Sequence, residues 1–213
     1  MNITIDFLKG KIKNPQKKIF QSFKFLPPDK YEKSKGYYFR FRNFSKIIIK
    51  NKIVDHLTDT KFFQNKKINR YAGGIKRKFS PIKKNIKFLM VKLFKENFHS
   101  LIRYKNAEVG FHQLRIKCGK DFVGYPVPEG WHKDGFDYVI LLNFGSKNIK
   151  GGVTRIKEKI DQSNDTFSAF LKKGEYLFVN DKKYYHYTDP INVSNNIGKG
   201  SRDTLVITIK IIN

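Results

Sequence analysis

Five histidines punctuate this chain of 213 residues, at positions 56, 99, 112, 132 and 186, and two of them stand where a metal ion could be held. His132 lies in Pro126-Val-Pro-Glu-Gly-Trp-His-Lys-Asp-Gly135. It is two residues from Asp134, so on an extended backbone both side chains point to one face, one offering an imidazole nitrogen and the other a carboxylate oxygen. His-x-Asp is common by chance, and a third group must support it. His186 does so, in Asn180-Asp-Lys-Lys-Tyr-Tyr-His-Tyr-Thr-Asp-Pro190, just past the strand-like run Glu175–Asn180. A jelly roll that folds this run's end beside the first segment brings His132, Asp134 and His186 together. Two imidazoles and one carboxylate make the facial triad that leaves positions open on non-haem Fe(II). Cys118 is the only cysteine, so neither a multi-cysteine zinc site nor an intrachain disulfide is available. His99, on or near a helix, His56, in a polar stretch, and His112, at the start of a strand, read as ordinary packed or surface residues.

A second kind of chemistry lies near the C-terminal end. Arg202 precedes the last strand in Ser201-Arg-Asp-Thr-Leu-Val-Ile-Thr-Ile209, sixteen residues after His186. A guanidinium fork beside such a metal suits the far carboxylate of a dicarboxylate co-substrate. Thr204, on the same strand face, could add a hydroxyl. Taken alone, Arg202 reads as a surface partner of Asp203 or another acid.

These residues need a rigid frame, and the composition can supply one. Hydrophobic residues make up 39% of the chain and aromatics 15%, too many for wholesale disorder. The longest apolar run, residues 138–142, is far short of the roughly 20 residues that cross a bilayer, and the N-terminus lacks the apolar region of a signal peptide. The expectation is a soluble, cytoplasmic, single-domain protein with no membrane partner: a Lys-rich lead-in at 1–24, a helix-bearing buttress at 25–110 and a β core at 111–213. The formal charge is +26, with 28 basic against 6 acidic residues in 1–105. Nucleic acid is a possible partner for such a surface. However, only 8 of the 44 basic residues are arginine, the residue that supplies bidentate contacts, and solvated lysine explains most of the excess.

Residues 37–44 alternate aromatic with basic side chains and read as a strand. Residues 46–57 are ambiguous, the triple isoleucine favouring strand. Ser80 and Pro81 suit the start of a helix, after which Ile86, Leu89, Met90, Leu93, Phe94, Phe98, Leu101 and Ile102 recur at spacings of three and four. From Gly110 onward the texture is of short strands, at 111–118, 136–144, 152–156, 166–171, Glu175–Asn180 and 203–212, separated by Gly and Pro. That spacing indicates a β sandwich or barrel.

The combined segments are similar to a known family. Pro126 to Gly135, Asn148-Ile-Lys-Gly-Gly152, Tyr185-His-Tyr-Thr-Asp-Pro-Ile191 and Ser201-Arg-Asp-Thr-Leu-Val-Ile207 follow in the order seen in the 2-oxoglutarate/Fe(II) dioxygenases that resemble bacterial L-isoleucine 4-hydroxylase. Leu26-Pro-Pro-Asp-Lys-Tyr31, Phe39-Arg-Phe-Arg42, Phe63-Gln64, Asn69, Gly73-Gly74 and Arg77-Lys-Phe79 look like that family's N-terminal signature, so the resemblance spans about residues 25–212. It implies a mainly β (α+β) fold, a double-stranded β-helix (jelly roll, cupin-like) with supporting helices from the N-terminal half. It implies iron ligands at His132, Asp134 and His186, a 2-oxoglutarate anchor at Arg202, and O2 as the oxidant. The implied reaction oxidises a C–H bond or sulfur atom of a free L-amino acid and releases succinate and CO2. In related halogenating enzymes a small residue stands at the position of Asp134, so the acid here implies hydroxylation. Arg77, Arg115 and Gln113 are candidates for contacts with such a substrate. Two features depart from the family, the lysine-rich first half and Val153 where a polar residue is expected. Two alternatives remain open at this stage: the same chemistry on a macromolecule such as nucleic acid or protein, and a metal-binding jelly roll without oxygenase activity. The oligomeric state is not legible.

Overall fold

The computed structural model describes residues 5–32, 36–57, 60–66, 73–195 and 198–212; Asn69 lies outside them. The strands are β1 (Phe7–Lys11), β2 (Arg40–Lys50), β3 (Ile53–His56), β4 (Lys61–Phe62), β5 (Arg77–Lys78), β6 (Asn106–Gly119) and β7 (Tyr138–Lys147). They continue with β8 (Ile149–Gly151), β9 (Thr154–Lys157), β10 (Phe167–Ala169), β11 (Glu175–Asn180), β12 (Tyr185–Thr188), β13 (Ile191–Val193) and β14 (Lys199–Ile212). Two α-helices, α1 (Lys17–Ser22) and α2 (Lys84–Asn97), complete the frame.

Seven strands form one antiparallel sheet in the order β1-β11-β7-β14-β6-β2-β3, and β9 sits between β10 and β12 in a smaller sheet. The architecture is the double-stranded β-helix. Period-two alternation gives the large sheet two different faces. One face carries Phe111, Leu205, Ile207 and Ile209 into a core shared with Ile19, Phe23, Met90, Phe94 and Phe98 from the helical layer. The other face carries His112 and Leu114 on β6 and Val206 and Thr208 on β14 toward a cavity. On that same face, Val139, Leu141, Leu177 and Val179 pack on Ile156 of the smaller sheet.

Two differences from the sequence reading bear on the frame. The lead-in carries β1, whose Phe7 to Lys11 pair with Val179 to Glu175 at the sheet edge. The helix read from Ser80 begins only at Lys84, because the Ser80 carbonyl is taken by the backbone N–H of Phe44. This ties the approach to α2 to strand β2.

Candidate metal and 2-oxoglutarate site

The two histidines meet through backbone pairing. His132 N–H donates to the His186 carbonyl at 3.2 Å, and His186 N–H returns the bond to the His132 carbonyl at 2.9 Å. Directly opposed residues of an antiparallel bridge carry their side chains on the same face, and the two imidazole centroids lie 4.3 Å apart. Asp134 reaches between them, Oδ1 3.4 Å from His132 Nε2 and Oδ2 3.6 Å from His186 Nε2. One ligand atom from each of His132, Asp134 and His186 falls within a 4.8 Å cluster. His132 Nδ1 is paired with the Gly130 carbonyl at 3.0 Å, which sets the tautomer and leaves Nε2 as a ligand atom. Burial opposes charge on both groups. Even so, Asp134 and Glu129 push the His132 imidazole up to about 9, while His132 and His186 hold the Asp134 carboxyl well below the usual carboxylate range. His186 Nε2 is buried with no hydrogen-bond partner among the described residues. An orphaned imidazole nitrogen beside an ionised carboxylate fits a divalent cation with nitrogen and oxygen ligands.

Asp181, at the end of β11, holds this loop in shape. Its carboxylate accepts the backbone N–H groups of Asp134, Gly135 and Phe136 at 2.9, 2.7 and 3.0 Å, and it is 1% exposed. Three bonds to an ionised acceptor are strong constraints. In Asp181→Asn the amide keeps one acceptor oxygen and loses the charge. We expect Fe(II) affinity to fall by about 10–100-fold, as for other groups that orient metal ligands. Anaerobic Fe(II) titration of the variant measures this, and unchanged affinity contradicts the role.

The cavity beside the triad has a volume of about 80 Å³, and its wall includes Arg40, Arg42, Arg77, Gln64, His112 and Glu129. Gln64 bridges Arg77 Nη2 at 2.8 Å to Asp134 Oδ1 at 2.9 Å. His112 is a site residue that sequence reasoning passed over. Its ring stacks on Phe44, Nδ1 accepts from Arg42, and Nε2 faces Thr208 Oγ1 at 3.3 Å. Burial and the adjacent Arg42 lower its pKa far enough to keep it neutral. Arg42 itself is lowered to about 9 by burial and by Arg40 and Arg77. Arg40, Arg42, Gln64 and Asp181 were missed as well. The signal for the two β2 arginines was visible, since they alternate with phenylalanine and so share one face.

Arg202 is 2% exposed. It donates through Nη1 to the Gly152 carbonyl and through Nη2 to Thr154 Oγ1 at 3.2 Å, while Nε has no partner among the described residues. Burial lowers it to about 10, with Asp189 acting the other way from a distance. Thr154 in turn contacts Thr188 Oγ1 at 3.2 Å, and Thr188 lines the cavity. Gly152 has φ +73°, and an added Cβ would lie 2.8 Å from Arg202 Nη1, so the second glycine of Gly151-Gly152 makes room for the guanidinium. Thr204 follows Arg202 on the same face of β14 but is not among the residues that line the cavity.

Two of the residues offered as substrate contacts do not line this cavity. Gln113 donates to Ser22 Oγ at 2.6 Å in the helical layer, and Arg115 forms a bidentate pair with Asp203 at 2.6 and 2.7 Å. Both follow the alternation of β6 away from the face that carries His112 and Leu114. Arg77, the third candidate, does line the cavity.

The model of the 2OG-Fe dioxygenase family matches residues 20–208. The L-isoleucine-4-hydroxylase of Bacillus thuringiensis is 28% identical over 183 residues, covering 79% of this chain and 74% of that protein. Among solved structures, a bsmA homolog from Methylobium petroleophilum PM1 superposes with a TM-score of 0.76 at 23% identity, over 91% of this chain and 80% of the other. IDO from Bacillus thuringiensis gives 0.73 at 21% identity, over 97% and 94%. The two structures show the shared fold.

Proposed function

The chain belongs to the 2OG-Fe dioxygenase family, and from that membership we propose that it hydroxylates, or oxidises at sulfur, a free L-amino acid in the cytoplasm. It is a dioxygenase that uses Fe(II), 2-oxoglutarate and O2. In this reading His132, Asp134 and His186 hold the metal and Arg202 grips the far carboxylate of 2-oxoglutarate, with Thr204 beside it on β14. The observation that carries it is the triad: three ligand atoms from two separate stretches of chain lie within 4.8 Å of one another, beside a cavity. When bound, iron with 2-oxoglutarate and O2 supplies the oxidising power for the substrate, with release of succinate and CO2. The protein's own residues do the rest. Asp181 fixes the loop that bears Asp134, Gly130 orients His132, and Gln64 braces Asp134 from the cavity side. Leu114, Val127, Leu141 and Val206 line the same space and offer apolar surface to a small apolar side chain.

The deciding experiment incubates the protein with Fe(II), ascorbate, 2-oxoglutarate and each free L-amino acid, reading succinate and a mass gain of one oxygen. At least one amino acid should give both. A second reading, the same chemistry on nucleic acid, is favoured by an adjoining cavity of about 490 Å³ that includes Asp134 and carries Lys46, Lys61, Lys76 and Lys210. A silent amino-acid panel, with RNA binding that falls steeply with salt, would support it.

Arg202 has its own test. Truncating one partner of a buried charge pair costs roughly 2–5 kcal/mol, so Arg202→Ala should raise the KM for 2-oxoglutarate by about thirtyfold or more. An unchanged KM would place the anchor elsewhere.

A further inference from the structure

The helical layer covers the face of the large sheet that is turned away from the triad. There α1 and α2 pack on each other and border an open groove of about 900 Å³. Lys18 and Asn85 line both this groove and a hollow of about 230 Å³ that continues it. Lys17, Lys18, Lys83 and Lys84 line the combined space, and no acidic residue does. All four lysines are exposed, and none is in ion-pair range of a carboxylate among the described residues. Phe88 lines the groove and Phe25 the hollow, and they are 63% and 76% exposed. α2 begins at Lys84 with no acid in its first turn, although the positive end of a helix dipole favours negative charge. Like charge is thus gathered along one groove, beside two open aromatic rings, without an acid to offset it.

We propose that this groove binds single-stranded nucleic acid, with phosphates on the four lysines and bases stacked on Phe25 and Phe88. A cationic groove that follows a backbone, flanked by aromatic platforms, is the arrangement that holds single strands. Packed helices stand about 8–10 Å apart, so a groove between them admits one strand and excludes a duplex. A bilayer would meet a convex face, whereas these rings and lysines line a concave one. The cations are all lysine, which attracts phosphate as a point charge and lacks the fork that reads base edges, so binding should be tolerant of sequence. Asn43 also lines the hollow, and its buried Oδ1 has no hydrogen-bond partner among the described residues; a base N–H would supply one. The groove lies across the sheet from His132, Asp134 and His186, so a strand held there is a tether for the enzyme and not its substrate. The inference therefore stands whichever molecule is oxidised.

Fluorescence anisotropy of the full chain with a labelled oligo(dT) or oligo(rU) of about 12 nucleotides tests this. The competitors are the same length of duplex and of abasic strand, which keeps the phosphates and lacks the bases. The single strand should bind, with the duplex weaker. The abasic strand should bind about 25-fold more weakly, one factor of about five for each ring. Phe25→Ala and Phe88→Ala should each weaken the single strand about fivefold or more and leave the abasic strand unchanged. Replacing Lys83 and Lys84 together by Gln should reduce the slope of log affinity against log salt by about 1.4, at about 0.7 for each phosphate released. All four positions are exposed, and thermal unfolding confirms that the variants are folded. Abasic and duplex strands that bind as well as the single strand would overturn the proposal, since charge alone would then explain it. So would phenylalanine variants of wild-type affinity, or no binding at all. Loss of binding in Lys76→Gln and Lys210→Gln, with the groove variants intact, would move the nucleic acid to the cavity beside Asp134 and equally overturn it. Phosphatidylglycerol vesicles that bind through Phe25 and Phe88, with no preference for bases over abasic strand, would replace the strand by a membrane surface.

Discussion

His132→Ala protein makes no succinate above the background of iron and ascorbate alone, and binds Fe(II) more weakly by more than the roughly 10–100-fold typical of losing a group that merely orients a ligand. The reason is positional. His132 and His186 face each other across a two-bond backbone bridge, and Asp134 lies within 3.6 Å of both. Removing one imidazole leaves two ligands on a metal that needs three protein groups to keep its open positions in register. The fold should survive, because the bridge is made by the backbone of residue 132 and not by its ring. Anaerobic Fe(II) titration, a succinate assay and thermal unfolding of the apoprotein separate the two effects. Wild-type iron affinity in His132→Ala would remove the proposed ligand set.

Arg40→Met has the largest expected effect on stability, a loss of about 3–5 kcal/mol. Asp29 and Glu32 are each 1% exposed and Arg40 5%. Arg40 Nε donates to Asp29 Oδ2 at 3.1 Å, and Nη2 donates to Glu32 Oε1. The same segment is stitched by backbone bonds from Asp29 N to Arg40 O at 2.8 Å and from Arg42 N to Pro27 O at 2.9 Å. Without the guanidinium, two carboxylates are left in a dry interior. Burial already pushes the Glu32 carboxyl above its ordinary value, against the pull of Arg40. Loss of Arg40 raises it further. A carboxyl raised on folding contributes stability that is complete below its unfolded pKa, about 4.3, and is lost as pH rises through the folded value. The deficit of the variant should therefore shrink on acidification toward that range and widen toward neutrality. Urea unfolding at several pH values measures it; a pH-independent deficit would mean that lost packing, and not the stranded acids, is responsible.

The sequence carried much of this architecture. The run 175–180 is strand β11 with the same limits, and the apolar spacing from Ile86 to Phe98 marks the residues that α2 and the turn after it bury against the sheet. Strand β1 was hidden because its residues are half exposed at a sheet edge and show no clear alternation. The start of α2 was misread because Ser80 and Pro81 suit a helix N-terminus in isolation, whereas the Ser80 backbone is bound to β2.

Residue types and order were enough to single out His132, Asp134, His186 and Arg202, since metal and carboxylate chemistry restricts which side chains can serve. The sequence alone also showed that Arg40 and Arg42, or Gln113 and Arg115, must lie on one face of a strand. Only the tertiary structure decided which face meets the cavity, because that depends on the neighbours of the strand in the sheet and not on its own alternation. It sent His112 inward and Gln113 and Arg115 toward the helices and the outer edge. It also decided how the cations are held: Asp29 and Glu32 close on Arg40, while Arg42 donates to His112 and Arg77 to Gln64. Such pairings join residues distant in the chain, so no local pattern of residue types encodes them.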